Sequence, residues 1–577
     1  MKPYPDVANP ALLERIPLSA RLILDVGCNT GALGADYKRR NPAARYLGIE
    51  KDPDCAAIAR ARLDRVANVD VEQTPAPFDV RQFDCIIYGD SLEHLVDPWA
   101  LLRAHARLLS DDGTMLICIP NVSHWSFAER LLRGTFDYED AGLLDRSHLR
   151  WFTWETTKRA IAATGLIPHD VTARVFDRDK AEQFADAIAP GLRALGVDLN
   201  DYLSRAAPLQ YVCRARRQVE PQLTVVSTML APVGGVSHVR VIEPLQAIST
   251  DCTVTTVIMQ GFDADSLSAV DGPRVFIFHR PAFTGDDGLE PIRRVLALGY
   301  VVVCEFDDHP DYIPILQRDD IQNFRAVHAV QTSTEPLAEV FRGDNPEVAV
   351  FKNAMQSLPE PRNFGDPGRL TLFFGGLNRE QDWPPFIEAL NNVARFVGER
   401  LFFQIVNDRG LYDALDTPHK NFTPLCDYDV YLRLLAHSEI SLMPLTDTAF
   451  NRCKSDLKFL EAASQRVAAL ASDVVYGSTI VDGHTGVVFR DSSELQQRLA
   501  RLVAQPERTR AIADAGRGYV MRDRMLAYQA AERVTWYRSL WARREELNRA
   551  LLQRVPQLAN PATGRRMFVA HTTQTAE

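Results

Sequence analysis

The sequence predicts an α/β protein of three Rossmann-like units, and three observations carry that prediction. Residues 22–53, LILDVGCNTGALGADYKRRNPAARYLGIEKDP, run from an apolar strand through Gly27, Gly31 and Gly34 into a helix, then into a second short strand that ends on Glu50. Apolar runs of strand length then recur along most of the chain with helical stretches between them, the pattern of sheets buried on both faces. Two polar, proline-bearing stretches, 214–222 and 359–369, cut that pattern into three blocks. With 577 residues, the chain is too long for a single core.

In the first block, residues 1–216, the candidate strands are Arg21–Val26, Arg45–Ile49, Val69–Glu72, Phe83–Tyr88, Thr114–Ile119, Ile167–Arg174 and Leu209–Arg214, the last two forming a hairpin. RARRQVEPQ (Arg214–Gln222) reads as a linker. The second block, 223–362, opens on Leu223–Met229 and includes Arg274–Phe278, Tyr300–Glu305 and Val348–Phe351. The break PEPRNFGDPGR (Pro359–Arg369) precedes a third block, 368–545, with strands Leu370–Phe374, Leu401–Val406, Ile440–Met443, Ala468–Ala471 and Gly486–Phe489. The tail 560–577 is polar and aperiodic and reads as disordered.

Composition narrows the class of protein. A hydrophobic fraction of 46% and a charged fraction of 24% are ordinary for a globular chain. A net charge of −10 argues against binding nucleic acid through phosphate contacts. Nine cysteines lack any C-x-x-C pair, and Cys85, Cys118 and Cys304 lie in apolar runs, so neither disulfides nor a zinc site is implied. No signal peptide opens the sequence, and the longest apolar run, near Val295–Cys304, is too short to cross a bilayer. A cytoplasmic protein is expected, with peripheral contact at the inner face of the membrane left open.

The loop after the first strand sets the first chemistry. It reads Asp25-Val-Gly27-Cys-Asn29-Thr-Gly31, with an acid ahead of its first glycine. An anion there is unfavourable beside a pyrophosphate but suits a ligand carrying an ammonium and a sulfonium. Glu50 is placed to accept from ribose hydroxyls. These residues resemble the class I methyltransferases, which use S-adenosylmethionine. The resemblance implies cofactor-binding roles for Asp25, Gly27, Asn29, Gly31 and Glu50, and for Asp70 near the adenine.

FDCIIYGDSLEHLVDP (Phe83–Pro98) is a buried strand that emits Asp90, Glu93 and His94 at its carboxyl end. It is similar to the corresponding stretch of ubiquinone-biosynthesis methyltransferases, and Asp90 joins the cofactor residues. Methyl transfer to a hydroxyl needs a positioned base, and imidazole is matched to neutral pH. His94, His124 and His148 are the candidates, with Asp145 placed to orient His148. The run 121–153 resembles methyltransferases found with surface-polysaccharide glycosyltransferases, which implies a sugar hydroxyl as acceptor.

Two Rossmann-like halves in tandem describe the GT-B glycosyltransferase architecture, with its site in the cleft between them. On the donor side, FFGGLNREQDW supplies Gly375, Gly376 and Arg379, and FNRCKSDLKFLEAAS supplies Lys454, Lys458 and Glu461 on a helix read from Ser455. These segments resemble retaining, group 1 GT-B enzymes. That resemblance implies that the cations neutralise a nucleoside diphosphate leaving group and that Glu461 accepts from the donor ribose. Cys453 departs from the family, which often has a second glutamate there. DGHTGVVF (Asp482–Phe489) resembles the family's following turn.

On the acceptor side stand Gly235 and Arg240, His279 and Arg280, and the pair Asp307 and Asp308, beside His309. The paired acids could bind an acceptor hydroxyl, act as base or hold a metal. The resemblance favours acceptor contacts, since GT-B enzymes generally need no metal.

The combined expectation is a bifunctional enzyme of bacterial O-antigen or capsule synthesis. It would methylate a sugar hydroxyl with S-adenosylmethionine and transfer a sugar from a UDP-, GDP- or dTDP-linked donor to a glycan or lipid-linked glycan. The alternatives are a methyltransferase whose GT-B half binds glycan without catalysis, and a docking scaffold. The sequence sets no oligomeric state.

Overall fold

The computed structural model describes residues 6–218, 220–229, 235–267, 271–361, 368–376, 379–561 and 570–571. These residues form two compact units, 1–221 with 250–253, and 222–249 with 254–577.

The first unit is built on a seven-stranded sheet: β1 (Leu22–Val26), β2 (Arg45–Ile49), β3 (Arg65–Ala67), β4 (Phe83–Gly89), β5 (Leu109–Pro120), β6 (Ile167–Arg174) and β7 (Gln210–Arg216). Their order is β3-β2-β1-β4-β5-β7-β6, parallel except for β7, which runs antiparallel to both β5 and β6. Leu24, Leu47, Ile86 and Ile117 fill one face, and Ile23, Tyr46, Cys85 and Leu116 fill the other, as a sheet covered on both sides requires.

Two sequence readings shift here. The third strand lies at Arg65–Ala67, not Val69–Glu72, because the Asp70 carboxylate accepts the Glu72 N–H at 3.0 Å and folds those residues into a turn. The supposed linker begins inside β7: Arg214 is buried and ion-paired with Asp170 at 2.7 Å.

The second unit holds two all-parallel six-stranded sheets. The first comprises β8 (Leu223–Met229), β9 (Val254–Gln260), β10 (Arg274–His279), then, past the two-residue β11 (Pro281–Ala282), β12 (Val301–Glu305), β13 (Ala329–Thr332) and β14 (Val348–Val350). The order is β14-β13-β12-β10-β8-β9. The second sheet comprises β15 (Leu370–Gly375), β16 (Leu401–Val406), β17 (Lys420–Thr423), β18 (Ile440–Met443), β19 (Ala468–Ser472) and β20 (Val487–Phe489), ordered β17-β16-β15-β18-β19-β20. This is the expected tandem of Rossmann-like halves. The strands β9, β13 and β17, absent from the sequence reading, are edge or short polar strands.

The chain then returns to the first of these halves. Helices Ala530–Ala542 and Arg544–Arg554 bury Tyr537, Leu540 and Leu547 against β8, β10 and β12, although the sequence boundary left residues up to 545 with the other half. Of the tail expected to be disordered, Ala570–His571 pairs antiparallel with β11, and 562–569 and 572–577 lie outside the described residues.

In each sheet the strand order reverses at one place: between β1 and β4, between β8 and β10, and between β15 and β18. Ligands bind doubly wound sheets at the carboxyl ends of the strands flanking such a reversal. The glycine loops and Asp90, Glu93 and His94, with Arg280 and Lys454, follow strands of this set, whereas Glu50, Asp70, His124 and the pair Asp307 and Asp308 follow β2, β3, β5 and β12.

Candidate active sites

The loop after β1 bends through left-handed backbone at Gly27 (φ 78°), Asn29 (φ 49°) and Gly31 (φ 77°). A Cβ at Gly27 would lie 3.1 Å from the Cβ of Ser91, so only glycine lets the two switch-point loops approach this closely. Glu50, at the end of β2, ties the loop down: one carboxylate oxygen accepts the Asn29 N–H and the other the Asp52 N–H, both at 2.8 Å.

Asp25 takes a different place from the one read in the sequence. It is 3% exposed and accepts from the Tyr46 hydroxyl at 2.9 Å, so it supports the loop from beneath. Burial, with the nearby Glu50 adding to it, lifts its pKa to about 7 against the Tyr46 hydrogen bond. Asp70 sits in the turn past β3, ion-paired with Lys51 at 3.0 Å, which holds its carboxyl below the usual range.

Asp90, Glu93 and His94 leave the end of β4 and line a cavity of about 170 Å³ with Asp145, His148 and Gln210. Asp90 holds left-handed backbone (φ 52°) and accepts from Gln210 at 2.8 Å. Burial raises the pKa of both Asp90 and Glu93, the latter well above the usual range. One Glu93 oxygen is buried with no hydrogen-bond partner, and the other lies 3.9 Å from His148 Nε2.

The His94 and His148 rings meet edge to face at 4.9 Å. His94 Nδ1 faces the Ser147 carbonyl at 3.2 Å, which leaves Nε2 for the cavity, and His148 Nδ1 faces the Leu143 carbonyl at 3.3 Å. One Asp145 oxygen accepts from the Ser147 N–H (2.8 Å) and from the Ser147 hydroxyl (2.5 Å), and the Asp145 charge acts on His148 from nearby. Burial depresses the His148 pKa.

Glu93, His94 and His148 each offer a ligand atom, all within 4.8 Å of one another, so the trio can hold a divalent cation. No metal site was read in the sequence, where Glu93 and His148 are far apart and neither stands in a ligand-spaced motif. His124, the third candidate base, caps the helix Trp125–Leu132 instead. Its Nδ1 pairs with the Ser126 hydroxyl at 2.7 Å, and burial pushes its pKa down to about 4.

In the second unit, two acceptor-side residues are buried within the fold. Arg240 is buried in a bidentate ion pair with Glu305 (2.8 and 3.1 Å) and also donates to Asn353 at 2.8 Å. His279 is fully buried at the end of β10. The residues that do meet in the cleft are Arg280, Asp307, Asp308 and Lys454. Arg280, with left-handed backbone (φ 49°), pairs with Asp307 at 2.7 Å and Asp308 at 2.9 Å. From the other half Lys454 reaches Asp308 at 3.2 Å. Burial pulls the Lys454 pKa down against the pull of Asp308.

Gly235 earns its glycine, since a Cβ there would lie 2.7 Å from the Tyr428 ring of the donor half. Its neighbour His238 stacks on the same ring at 5.1 Å. Residues 230–234 of the glycine loop, and Asn378, lie outside the described residues.

On the donor side Gly375 ends β15 with Gly376 after it, and Arg379 pairs with Asp382 at 3.1 Å. The helix starts at Leu457 rather than Ser455, so Lys454 precedes it and the two lysines part company. The Asp456 carboxylate at its start is held by Arg524 and Thr479. Glu461 is 1% exposed, and its oxygens accept from Tyr428 (2.9 Å), Tyr431 (3.2 Å) and Lys458 (3.3 Å). The carboxylate read as open to a ribose is therefore already hydrogen-bonded. Nothing in the sequence paired Tyr428 or Tyr431 with it.

Glycine-cradled, strained loops at the switch point of a seven-stranded mixed sheet define the first unit as the methyltransferase class of Rossmann-like fold. The methyltransferase-domain family matches residues 8–169. The ubiquinone biosynthesis O-methyltransferase of Xylella fastidiosa (strain 9a5c) is 31% identical over 222 residues, covering 32% of this chain and 81% of that relative. Its counterpart in Xanthomonas campestris pv. campestris (strain B100) is 30% identical over 203 residues, covering 32% and 83%.

Through this N-terminal region the chain belongs to the methyltransferase family. Against the Xanthomonas oryzae pv. oryzae (strain PXO99A) enzyme it is 31% identical over 157 residues and spans only 62% of that relative. Among solved structures, the [4+2]-cyclase SpnF is 21% identical (TM-score 0.25; 36% of this chain, 79% of that one). TarM is 10% identical (TM-score 0.36; 46% and 54%).

Proposed function

We propose that the first unit methylates a hydroxyl of a small polar acceptor with S-adenosylmethionine, and that the second transfers a sugar from a nucleotide donor to a glycan. The observation that carries the methylation reading is the cavity at the end of β4, lined by His94 and by Glu93, one of whose buried oxygens has no hydrogen-bond partner.

The residues present fit the cofactor. The Gly27–Gly31 loop leaves backbone room, Glu50 stands at the end of β2 for ribose hydroxyls, and buried Asp25 supplies an anion that a cationic ligand would favour in its ionised form. S-adenosylmethionine, when bound, supplies the methyl group. The chain's own part is to place and deprotonate the acceptor. His94 Nε2, its tautomer fixed by the Ser147 carbonyl, takes the acceptor proton as the hydroxyl becomes a nucleophile. A cation held by Glu93, His94 and His148 would polarise that hydroxyl instead, with His94 then a ligand.

In the cleft of the second unit Arg379, Lys454 and Lys458 supply positive charge for a diphosphate, and Arg280 with Asp307 and Asp308 lines the acceptor side. A second reading, a glycan-binding half without transfer, is favoured by one fact: Glu461 and Lys454 are both already engaged by protein groups. A role in surface-polysaccharide synthesis rests on the sequence resemblance of residues 121–153.

Titrating the full chain with S-adenosylmethionine and with UDP-, GDP- and dTDP-sugars tests both halves. Heat with S-adenosylmethionine, and transfer or hydrolysis of one nucleotide sugar, are expected. No heat with the cofactor would end the methylation reading, and no donor turnover would leave the glycan-binding one.

A further inference from the structure

A cavity of about 680 Å³ in the donor half lies outside every residue assigned above a catalytic or binding role. It opens at the carboxyl ends of β18, β19 and β20, between the segments Leu445–Asp447, Asp473–Val475 and Arg490–Ser492. That is the ligand-binding side of a parallel sheet, and the volume is that of a small-molecule site.

The wall is strained where it meets the cavity. Val475 holds φ 66° and ψ −56°, and the Tyr476 N–H donates to the Val474 carbonyl at 2.8 Å, which closes a tight γ-turn at a β-branched residue. Backbone of this kind is rare for valine and clusters at binding sites.

The lining indicates what fits. Phe386, Leu445, Val474 and Val475 provide apolar surface. Around them the charges are already matched: Arg452 with Asp447 at 2.6 Å, and Arg490 with Asp473 at 3.6 Å, all four side chains more than half exposed. With Asp491 added, the acids outnumber the arginines by one, so a phosphate or a carboxylate meets no uncompensated cation. A ligand with a flat apolar face and many hydroxyls, each able to donate to Asp and accept from Arg, matches both surfaces.

We propose that this cavity binds a neutral pyranose unit of a glycan, at a second saccharide site apart from the cleft. The choice of a sugar among polyols rests on the glycosyltransferase reading. The site also backs onto the donor-side arginine: Thr446, in its wall, donates its N–H (2.9 Å) and hydroxyl (2.8 Å) to Asp382, the carboxylate that pairs with Arg379.

Saturation-transfer NMR of the full chain with the methyl glycosides of glucose, galactose, mannose, rhamnose and N-acetylglucosamine tests the proposal. At least one glycoside is expected to bind with a millimolar Kd. Ser492→Trp, which fills the cavity from a half-buried helix start, should weaken it about tenfold or more, and Arg490→Ala, at an exposed position, should weaken it as well. Lys458→Ala, in the cleft, should leave it unchanged.

No transfer from any glycoside at about 50 mM, or binding indifferent to both cavity variants, would overturn the proposal. So would binding that Lys458→Ala abolishes, since the sugar would then lie in the cleft. Failure of the glycosyltransferase reading appears separately, as nucleotide sugars that neither bind nor turn over while the glycoside result stands.

Discussion

Asp25→Asn offers the sharpest test of the loop that holds the cofactor. Asp25 is buried near the end of β1, beside β2, with the Tyr46 hydroxyl on its carboxylate, and its pKa rises from 3.8 to about 7. The folded protein therefore holds a proton there between about pH 4 and pH 7 that the unfolded chain has lost, so stability falls as pH rises through that window. About three pKa units correspond to about 4 kcal/mol of ionisation penalty, nearly all of it present at pH 8 and about 2 kcal/mol present at pH 5. Asparagine keeps an oxygen for Tyr46 and removes the ionisation. The variant should gain stability over wild type at both pH values, and its advantage should be larger at pH 8 by about 2 kcal/mol.

Thermal unfolding of the full chain at pH 5 and pH 8, reading the transition that S-adenosylmethionine shifts upward, measures that gap. Calorimetry in two buffers of different ionisation enthalpy adds a second reading. Wild type should release roughly half a proton on binding S-adenosylmethionine at pH 7, and the variant none. A variant destabilised equally at both pH values, or a wild type that binds without proton release, would refute the reasoning. The carboxylate would then be ionised and structural from the start.

The remaining predictions follow the same logic. Co²⁺ titration followed by visible absorption should show a site that Glu93→Gln and His148→Ala each remove, with affinity rising with pH as the Glu93 carboxyl, held protonated by burial, loses its proton. Tyr431→Phe and Tyr428→Phe should each tighten binding of whichever nucleotide the chain prefers by about two- to tenfold, the value of one competing hydrogen bond on Glu461. Weaker binding in equilibrium dialysis would make the tyrosines supports of the site. Arg524→Met should cost about 3 to 5 kcal/mol in urea unfolding because it strands the buried Asp456 carboxylate, and adding Asp456→Asn should recover much of it.

What was legible in the sequence, and what was not, divides along a physical line. Strand positions and the switch-point loops were legible because apolar runs and glycine spacing are local: β2, β6, β8, β16 and β18 fall where the pattern put them. The places of charged side chains were not, because they depend on partners far away in sequence. Arg240 looked like a ligand contact beside a glycine loop, yet Glu305, across the sheet, claims it within the core. His124, His94 and His148 were equivalent as residue types. Only the fold shows that one caps a helix while the other two share a cavity with Glu93.

Glu461 is the most instructive case, because its position on the helix was read correctly while its state was not. Tyr428 and Tyr431 lie on a helix that no sequence motif singles out, and each donates to one of the Glu461 oxygens. Because Glu461 is 1% exposed, a nucleotide that uses it has to move these rings aside, one of them the ring that Gly235 and His238 of the other half press against. Moving the Tyr428 ring would also break its contact with the other half, so a donor that used Glu461 would couple its own binding to the spacing of the halves.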